Sequence, residues 1–501
     1  GWVDGFYFGD QWRATDRLTV NMGIRWDFTL IPQWGQASNR TNQAGTLNLN
    51  NGTYILQVPV PSCSQAGEAP CIPGTGLPAH VVVSPDGKIW HTDYKNLEPR
   101  VGLAYRLGSK TVLRASGGIF YDNWSTWSQL GQSISGTWPT IAQFIANNLN
   151  PDVPTVTAEN PLSAIGAGAF PAATPFSNVS WYKDPYMDDP YSEQWNFGIQ
   201  RQLRPNTMLS LDYVGSHSSR LNLGIYANTA VTPGAGPQAP RRPYPYITST
   251  YYDRSIGRSS YNAFEFSLTK RFSQGLTYLV SYTWAKSMDI ACSGYAATEG
   301  CATQNPYDIN ADKSVSAFDL THVLSASWVY QLPFGKGKRF SSGSKPLDNV
   351  IGNWQVNGIL SLRSGPPYTL GVSGDIANTG NNGSIGFYER LNQIGKANLP
   401  NPTPAEWFNT SAFQSPAAFT YGDLGRNTMR ADWGKDLDFS LFRKFPISET
   451  KYFEFRVEAF NATNTPIWGT PVDNFNSPNF GRVLSTANSP RQIQFALKFY
   501  Y

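Results

Sequence analysis

"IQFALKFYY" closes the chain, residues Ile493 to Tyr501. Ile493, Phe495, Leu497, Phe499 and Tyr501 fall on one side of an extended backbone, with Gln494, Ala496, Lys498 and Tyr500 on the other, because successive strand side chains point to opposite faces. In water, a terminal strand usually frays or finishes on polar residues. Here the apolar row runs to the last residue. The pattern belongs to a strand whose outer face meets something other than water along its full length.

The same period-2 pattern recurs along the chain. In "RLTVNMGIRWDFT", Leu18, Val20, Met22, Ile24, Trp26 and Phe28 share a face opposite Arg17, Thr19, Asn21, Arg25 and Asp27. Trp195, Phe197 and Ile199 oppose Gln194, Asn196, Gln200 and Gln202, and Leu276, Tyr278, Val280, Tyr282 and Trp284 line another strand. Trp354, Val356, Leu360 and Leu362 stand against Gln355, Asn357, Ser361 and Arg363. The alternation predicts thirteen strands, near 2–14, 17–30, 97–107, 111–121, 193–203, 207–215, 262–272, 276–286, 320–331, 353–363, 436–445, 452–461 and 492–501. Most reach the roughly 9–11 residues that a tilted strand needs to cross a bilayer, against about 5–6 in water-soluble sheets.

The connections alternate in length. Thr15–Asp16, Gly108–Lys110, Arg204–Asn206, Ser273–Gly275 and Pro446–Lys451 are short, with Leu332–Gly352 a longer exception at the same end. Segments 31–96, 122–192, 216–261, 287–319, 364–435 and 462–491 are long and all fall at the other end. A sandwich in water has no reason for this sorting. A transmembrane β-barrel has one, since its short turns face the periplasm and its long loops face outside. The expected fold is therefore all-β, an antiparallel outer-membrane barrel with long extracellular loops.

Composition agrees. Apolar residues make up 40% and charged residues 15%, below the usual charged share of roughly 25%. No apolar run is long enough for a spanning helix. A net charge of +4 is too small to argue for nucleic acid. Cys63 and Cys71, and Cys292 and Cys301, form two close pairs, whose spacing suits two loop disulfides in an oxidising compartment; four unpaired thiols are the alternative. No C-x₂-C spacing or neighbouring histidine points to zinc.

Strand count carries a further expectation. The first and last predicted strands both run toward the short-turn end, so they cannot pair with each other as antiparallel neighbours, and closed bacterial barrels have even strand numbers. Gly1 stands at the start in place of Met, so either a leader has been removed or the chain is a fragment; on the strand count it reads as the C-terminal part of a larger protein, a miscounted strand being the competing explanation.

Several stretches resemble a known family. "GDQWRATDRLTVNMGIRWD", "LEPRVGLAYRL", "SEQWNFGIQRQL", "YNAFEFSLTKRFSQGLTYLVSYTWAKSMD", "FDLTHVLSASWVYQLPFG", "GRNTMRADWGKDLDFSLFRKF" and "FEFRVEAFNATNTPIWGTP" are similar to the barrel of TonB-dependent receptors, particularly the Oar-like type with a carboxypeptidase-regulatory-like N-terminal domain. The matches run from Gly9 to Tyr501. The resemblance implies a 22-stranded barrel of which residues 1–501 supply the C-terminal portion of about thirteen strands. It also implies a plug and N-terminal domain outside this chain, energy delivered by the TonB complex, and import of ligands too large or scarce for porins. The apolar final strand ending in an aromatic resembles the signal by which such barrels are recognised by the assembly machinery.

Enzymatic signatures are missing from the sequence: there is no G-x-S-x-G, Walker A or H-E-x-x-H, and His80, His91, His217 and His322 are scattered. No cofactor is expected. "DINADKSVSAFD" places Asp308, Asn310 and Asp312 like the start of a calcium loop, but Lys313 stands where the turn needs Gly and Asp319 where it needs Glu, so a solvated loop is the default. The loops carry aromatics, Trp124, Trp127, Trp138, Trp181, Tyr182, Tyr186, Tyr251 and Tyr252, which either stack on a ligand or pack the loops together. Two functions fit: an active-transport receptor for an unknown extracellular ligand, or a structural or adhesive outer-membrane barrel.

Overall fold

A computed structural model describes residues 2–31, 45–66, 71–122, 138, 174–177, 181–290, 303–381, 389–448 and 450–501. Thirteen long strands appear among them: β1 Trp2–Arg13, β2 Leu18–Leu30, β3 Leu97–Gly108, β4 Thr111–Tyr121, β5 Tyr191–Arg204, β6 Thr207–Ala227, β7 Thr250–Ser273, β8 Leu276–Asp289, β9 His322–Gln331, β10 Trp354–Arg363, β11 Gly434–Pro446, β12 Tyr452–Phe460 and β13 Gln492–Tyr500. They form one antiparallel sheet in sequential order from β1 to β13. Each expected strand is present, most within a residue or two of its expected ends.

Register keeps one face apolar across the whole wall. Leu103 stands beside Ala115, Ala115 beside Phe197, Phe197 beside Tyr213, Tyr213 beside Phe264 and Phe264 beside Trp284. The row continues with Val280, Ala326, Leu360 and Leu437 on β8 to β11, and ends at Phe445, Phe453 and Phe499. Indole rings fill two glycine gaps on this face: Trp195 lies over Gly215 and Trp328 over Gly358, where any Cβ would collide with the ring. The opposite face is polar. Asn21, Gly102, Ser116 and Asn196 make one row, with the Asn196 amide donating to Ser116 Oγ at 2.7 Å. Asn357 donates to Ser440 Oγ at 3.1 Å, and Arg25–Asp27, Arg100–Glu98 and Arg456–Glu454 pair along the same face.

One expectation needs correction, and one connection holds more structure than its length alone told. Segment 216–261 is not simply loop: β6 and β7 stay paired as far as Ala227 opposite Thr250, whereas β5 leaves β6 at Tyr191 opposite Ser219. The hairpin thus stands roughly 25 Å above its neighbours, at about 3.3 Å per residue. The polar run Ser216–Arg220 looks like the start of a loop because the ladder slips there, between Ser218 and Asn222, and Arg220 takes a left-handed conformation with φ 57°. The connection from β9 to β10 is also more than a slack turn, since Lys345–Ile351 is helical.

An arginine at Leu360, on the apolar face, should destabilise the folded wall by about 2–4 kcal/mol if that site lies near the bilayer midplane. The same residue at Asn357 should cost much less. Folding titrations of the full-length protein into lipid vesicles would read both; equal costs would reverse the assignment of the faces.

Candidate functional site

The long-loop end holds two apolar cores of its own. The first collects Leu47, Tyr54, Leu56, Val81, Tyr182, Leu223, Ile225 and Tyr252 among others. The raised part of the β6–β7 hairpin is its support. Above the ladder slip, Leu223, Ile225 and Ala227 of the hairpin point into the loop core, and all three are buried. A small sheet, Gly45–Asn48 with Thr53–Leu56 and Val81–Val83, packs onto it. Buried hydroxyls find partners across long sequence gaps: Tyr252 donates to the Leu47 carbonyl at 2.9 Å, Tyr54 to the Trp138 carbonyl at 2.9 Å and Thr46 to the Lys183 carbonyl at 2.5 Å. The second core, built on Leu370, Leu391, Phe408, Phe413 and Leu424, lies within segment 364–435.

Buried ion pairs tie loops to strand tops. Trp181–Lys183 pairs in parallel with Tyr251–Asp253 of β7, and Lys183 meets Asp253 with both side chains buried. Arg254 reaches Asp184 at 3.1 Å. Arg426 meets Asp289 at the top of β8, Arg390 meets Asp312, and Arg430 meets Asp319 at 2.7 Å. Burial, with Arg426 close by, draws the Arg390 guanidinium down to about 10. Burial likewise pushes the phenols of Tyr251 and Tyr252 up, so both stay neutral donors. The Glu389 carboxyl is pushed up to about 7 by burial, although the Ala377 amide donates to it at 3.1 Å.

A cavity of about 120 Å³ lies between these elements, walled by Asp184, Asn228, Tyr244, Tyr252, Arg254 and Tyr307. Its phenols, amide and charge pair suit a small polar group, and it is below the roughly 300 Å³ of a drug-sized pocket. It is a subsite within a broader loop surface. Two larger troughs, about 450 and 490 Å³, run along the polar face of the sheet.

Trp138, Tyr182, Tyr251 and Tyr252 are all buried, and of these only Tyr252 borders the cavity. Tyr186 is exposed. Trp181 belongs to the short strand beside β7. Trp124, Trp127, Cys292 and Cys301 lie outside the described residues. Cys63 and Cys71 are joined in a disulfide. Asp312 and Asp319 face arginines and not one another, and the described residues contain no cluster of possible metal ligands. Sequence reading singled out Asp312 and Asp319 but missed their arginine partners and the other paired charges; the signal for these is that charges are scarce, yet Arg426 and Arg430 sit in a glycine- and asparagine-rich loop.

Residues 1–494 match the model of a family described as the outer membrane beta barrel domain. The chain belongs to that family. Its place is the bacterial outer membrane, with the apolar face of the sheet toward lipid and the polar face toward the lumen. No curated protein matches the chain. Among solved structures, it is similar to the ferripyoverdine receptor of the outer membrane of Pseudomonas aeruginosa, at 12% identity and a TM-score of 0.43, over 100% of this chain and 38% of that one. For the ferric-catecholate import receptor Fiu from K12 E. coli the values are 11%, 0.42, 100% and 45%, and for the copper transporter OprC 9%, 0.41, 99% and 48%. The chain thus spans less than half the length of each.

Replacing Asp253 with Ala leaves the Lys183 charge buried without this counter-ion, a change that typically costs about 3–5 kcal/mol. Hydrogen exchange should quicken at 181–183 and 250–253, and the paired change Lys183→Met with Asp253→Leu should recover most of the loss. Glu389 predicts a pH effect. Its folded pKa lies above its unfolded value of 4.5, so its contribution is fully present below about pH 4.5 and is lost as pH rises through about 7, by about 3 kcal/mol in all. Protection at 376–377 and 389–391, taken relative to the intrinsic exchange rate at each pH, should therefore be lower at pH 8 than at pH 5, and Glu389→Gln should remove that difference in protection.

Proposed function

We propose that this chain forms the barrel wall and ligand-capturing loops of a TonB-dependent importer whose ligand is too large or scarce for porins. The observation that supports this reading is that the described parts of the long loops are folded bodies. Fixing backbone costs roughly 1–2 kcal/mol per residue, and a passive wall has no need to order so much chain. Here two apolar cores and several buried ion pairs offset that cost. The result is a preformed surface held clear of the membrane, as capture of a dilute ligand requires.

The rest of the reading follows from the family resemblance. A barrel of such width needs a plug to seal its lumen, and the polar face with its two troughs would meet that plug. The TonB complex would engage a segment outside this chain, and the assembly machinery would engage β13, whose Phe495 and Leu497 are exposed.

Uptake by cells carrying the full-length gene is the test, with and without the proton gradient and with segment 122–192 or 364–435 shortened. Import should fail when the gradient is collapsed and weaken when either loop is shortened. Uptake indifferent to both would reject the importer and leave an adhesive or structural barrel.

A further inference from the structure

Among the short-turn connections, the one from β9 to β10 stands apart. The others are tight: Pro205–Asn206 joins β5 to β6, and Gln274–Gly275 joins β7 to β8. Residues 332–353 instead build a compact body. Asp348 accepts from Ser341 Oγ at 2.5 Å and from the Ser342 amide and hydroxyl at 2.7 and 2.8 Å. Gly335, with φ 99°, packs so closely on Gly352 that a Cβ there would stand 2.7 Å from the Gly352 Cα. The Phe334 and Phe340 rings lie 5.6 Å apart.

This body is fastened to the lipid side of the wall. Trp354 shares the apolar face with Val356 and Leu360, and its indole N–H donates to the Val350 carbonyl at 3.1 Å. Arg443, its register partner on β11, lies over the Trp354 and Phe445 rings at 5.2 and 4.3 Å and also donates to the Asn349 carbonyl. The helix Lys345–Ile351 is therefore held at the rim of the lipid-facing band, away from the lumen. The helix and the turn before it leave large apolar side chains open: Val350 is 61% exposed, Phe340 50% and Leu347 48%. The charge is one-sided as well. By sequence the turn holds four cations, Lys336, Lys338, Arg339 and Lys345, and one carboxylate, Asp348, which is occupied by the serines. Lys338 borders a hollow with Gln331, Gln355 and Lys444 on the polar side, which leaves Lys336 and Arg339 as the described cations for the lipid side. The turn so carries most of the chain's net charge of +4.

We propose that the 332–353 turn is an interfacial anchor that rests on the periplasmic leaflet of the outer membrane, its apolar side chains between the lipid heads and its cations on anionic phospholipid. Apolar and cationic groups presented together bind such a surface. The position adds continuity, because the turn extends a wall already facing lipid. Long cationic side chains beside an aromatic rim also reach headgroups easily.

The test uses the full-length protein in nanodiscs, with Val350→Cys or Leu347→Cys carrying an environment-sensitive fluorophore and its site checked by mass. A label at Phe318, exposed at the long-loop end, serves as the water-facing control. Discs contain phosphatidylethanolamine alone or with about one quarter phosphatidylglycerol. Iodide quenching at 350 and 347 should be at least about threefold weaker than at 318, and lipid-borne nitroxide should quench them more strongly in the anionic discs. Replacing Lys336 and Arg339 with Gln should erase the dependence on phosphatidylglycerol. Iodide access equal to the control in both discs overturns the proposal. Protection that grows with protein concentration assigns the patch to a second copy, and protection that appears only with periplasmic extract assigns it to a protein; either result overturns it too.

Discussion

Inside a bilayer no water can satisfy a backbone N–H or C=O, so each must be paired within the protein. That requirement governs the rest of this molecule. It explains why thirteen consecutive strands pair with their sequence neighbours and why their ladders are uninterrupted where lipid surrounds them. Register slips do occur, but only at the margins: Arg106 to Gly108, Thr207 to Met208 and Lys270 to Ser273 adjoin turns, and Ser218 to Asn222 lies above the band. Because register cannot slip within the band, side-chain alternation cannot slip either, and one face stays predominantly apolar from β2 to β13, with Asp4 and Asp10 of β1 breaking the row at its edge.

That coupling is also why the wall was legible in sequence. A strand between lipid and lumen has two different surroundings on its two faces, and Leu18 to Phe28 or Trp354 to Leu362 record the difference residue by residue. Above the membrane the rule lapses. The upper parts of β6 and β7 are a two-stranded ribbon with loops packed around it, so "YYDRSIGRSSYN" has no apolar alternation although it is strand throughout. The candidate site was less legible still. Its contacts join residues such as Leu47 and Tyr252, or Asp289 and Arg426, which no local period connects. The loop aromatics were visible as aromatics, but whether a ring meets ligand or neighbour depends on those distant contacts.

The chain therefore has two solvents and two kinds of core. In the band, apolar side chains point outward and need only lipid for company. At the long-loop end they point inward, and the polar groups buried with them need explicit partners, hence the ion pairs at Lys183, Arg390 and Arg426. The ladder slip at Ser218–Asn222 marks the change from one regime to the other along a single pair of strands.

The raised β6–β7 hairpin has a mechanical consequence. Its rungs run without a chain break from the loop core down to the turn at Pro205–Asn206 on β5–β6 and the turn at Gln274–Gly275 on β7–β8. A pull along the strand axis loads these rungs together in shear, whereas a sideways force at the tip would open them one at a time. Whatever grips the outer loops can be tugged hard along the barrel axis without unravelling the ribbon, while a lateral drag meets far less resistance.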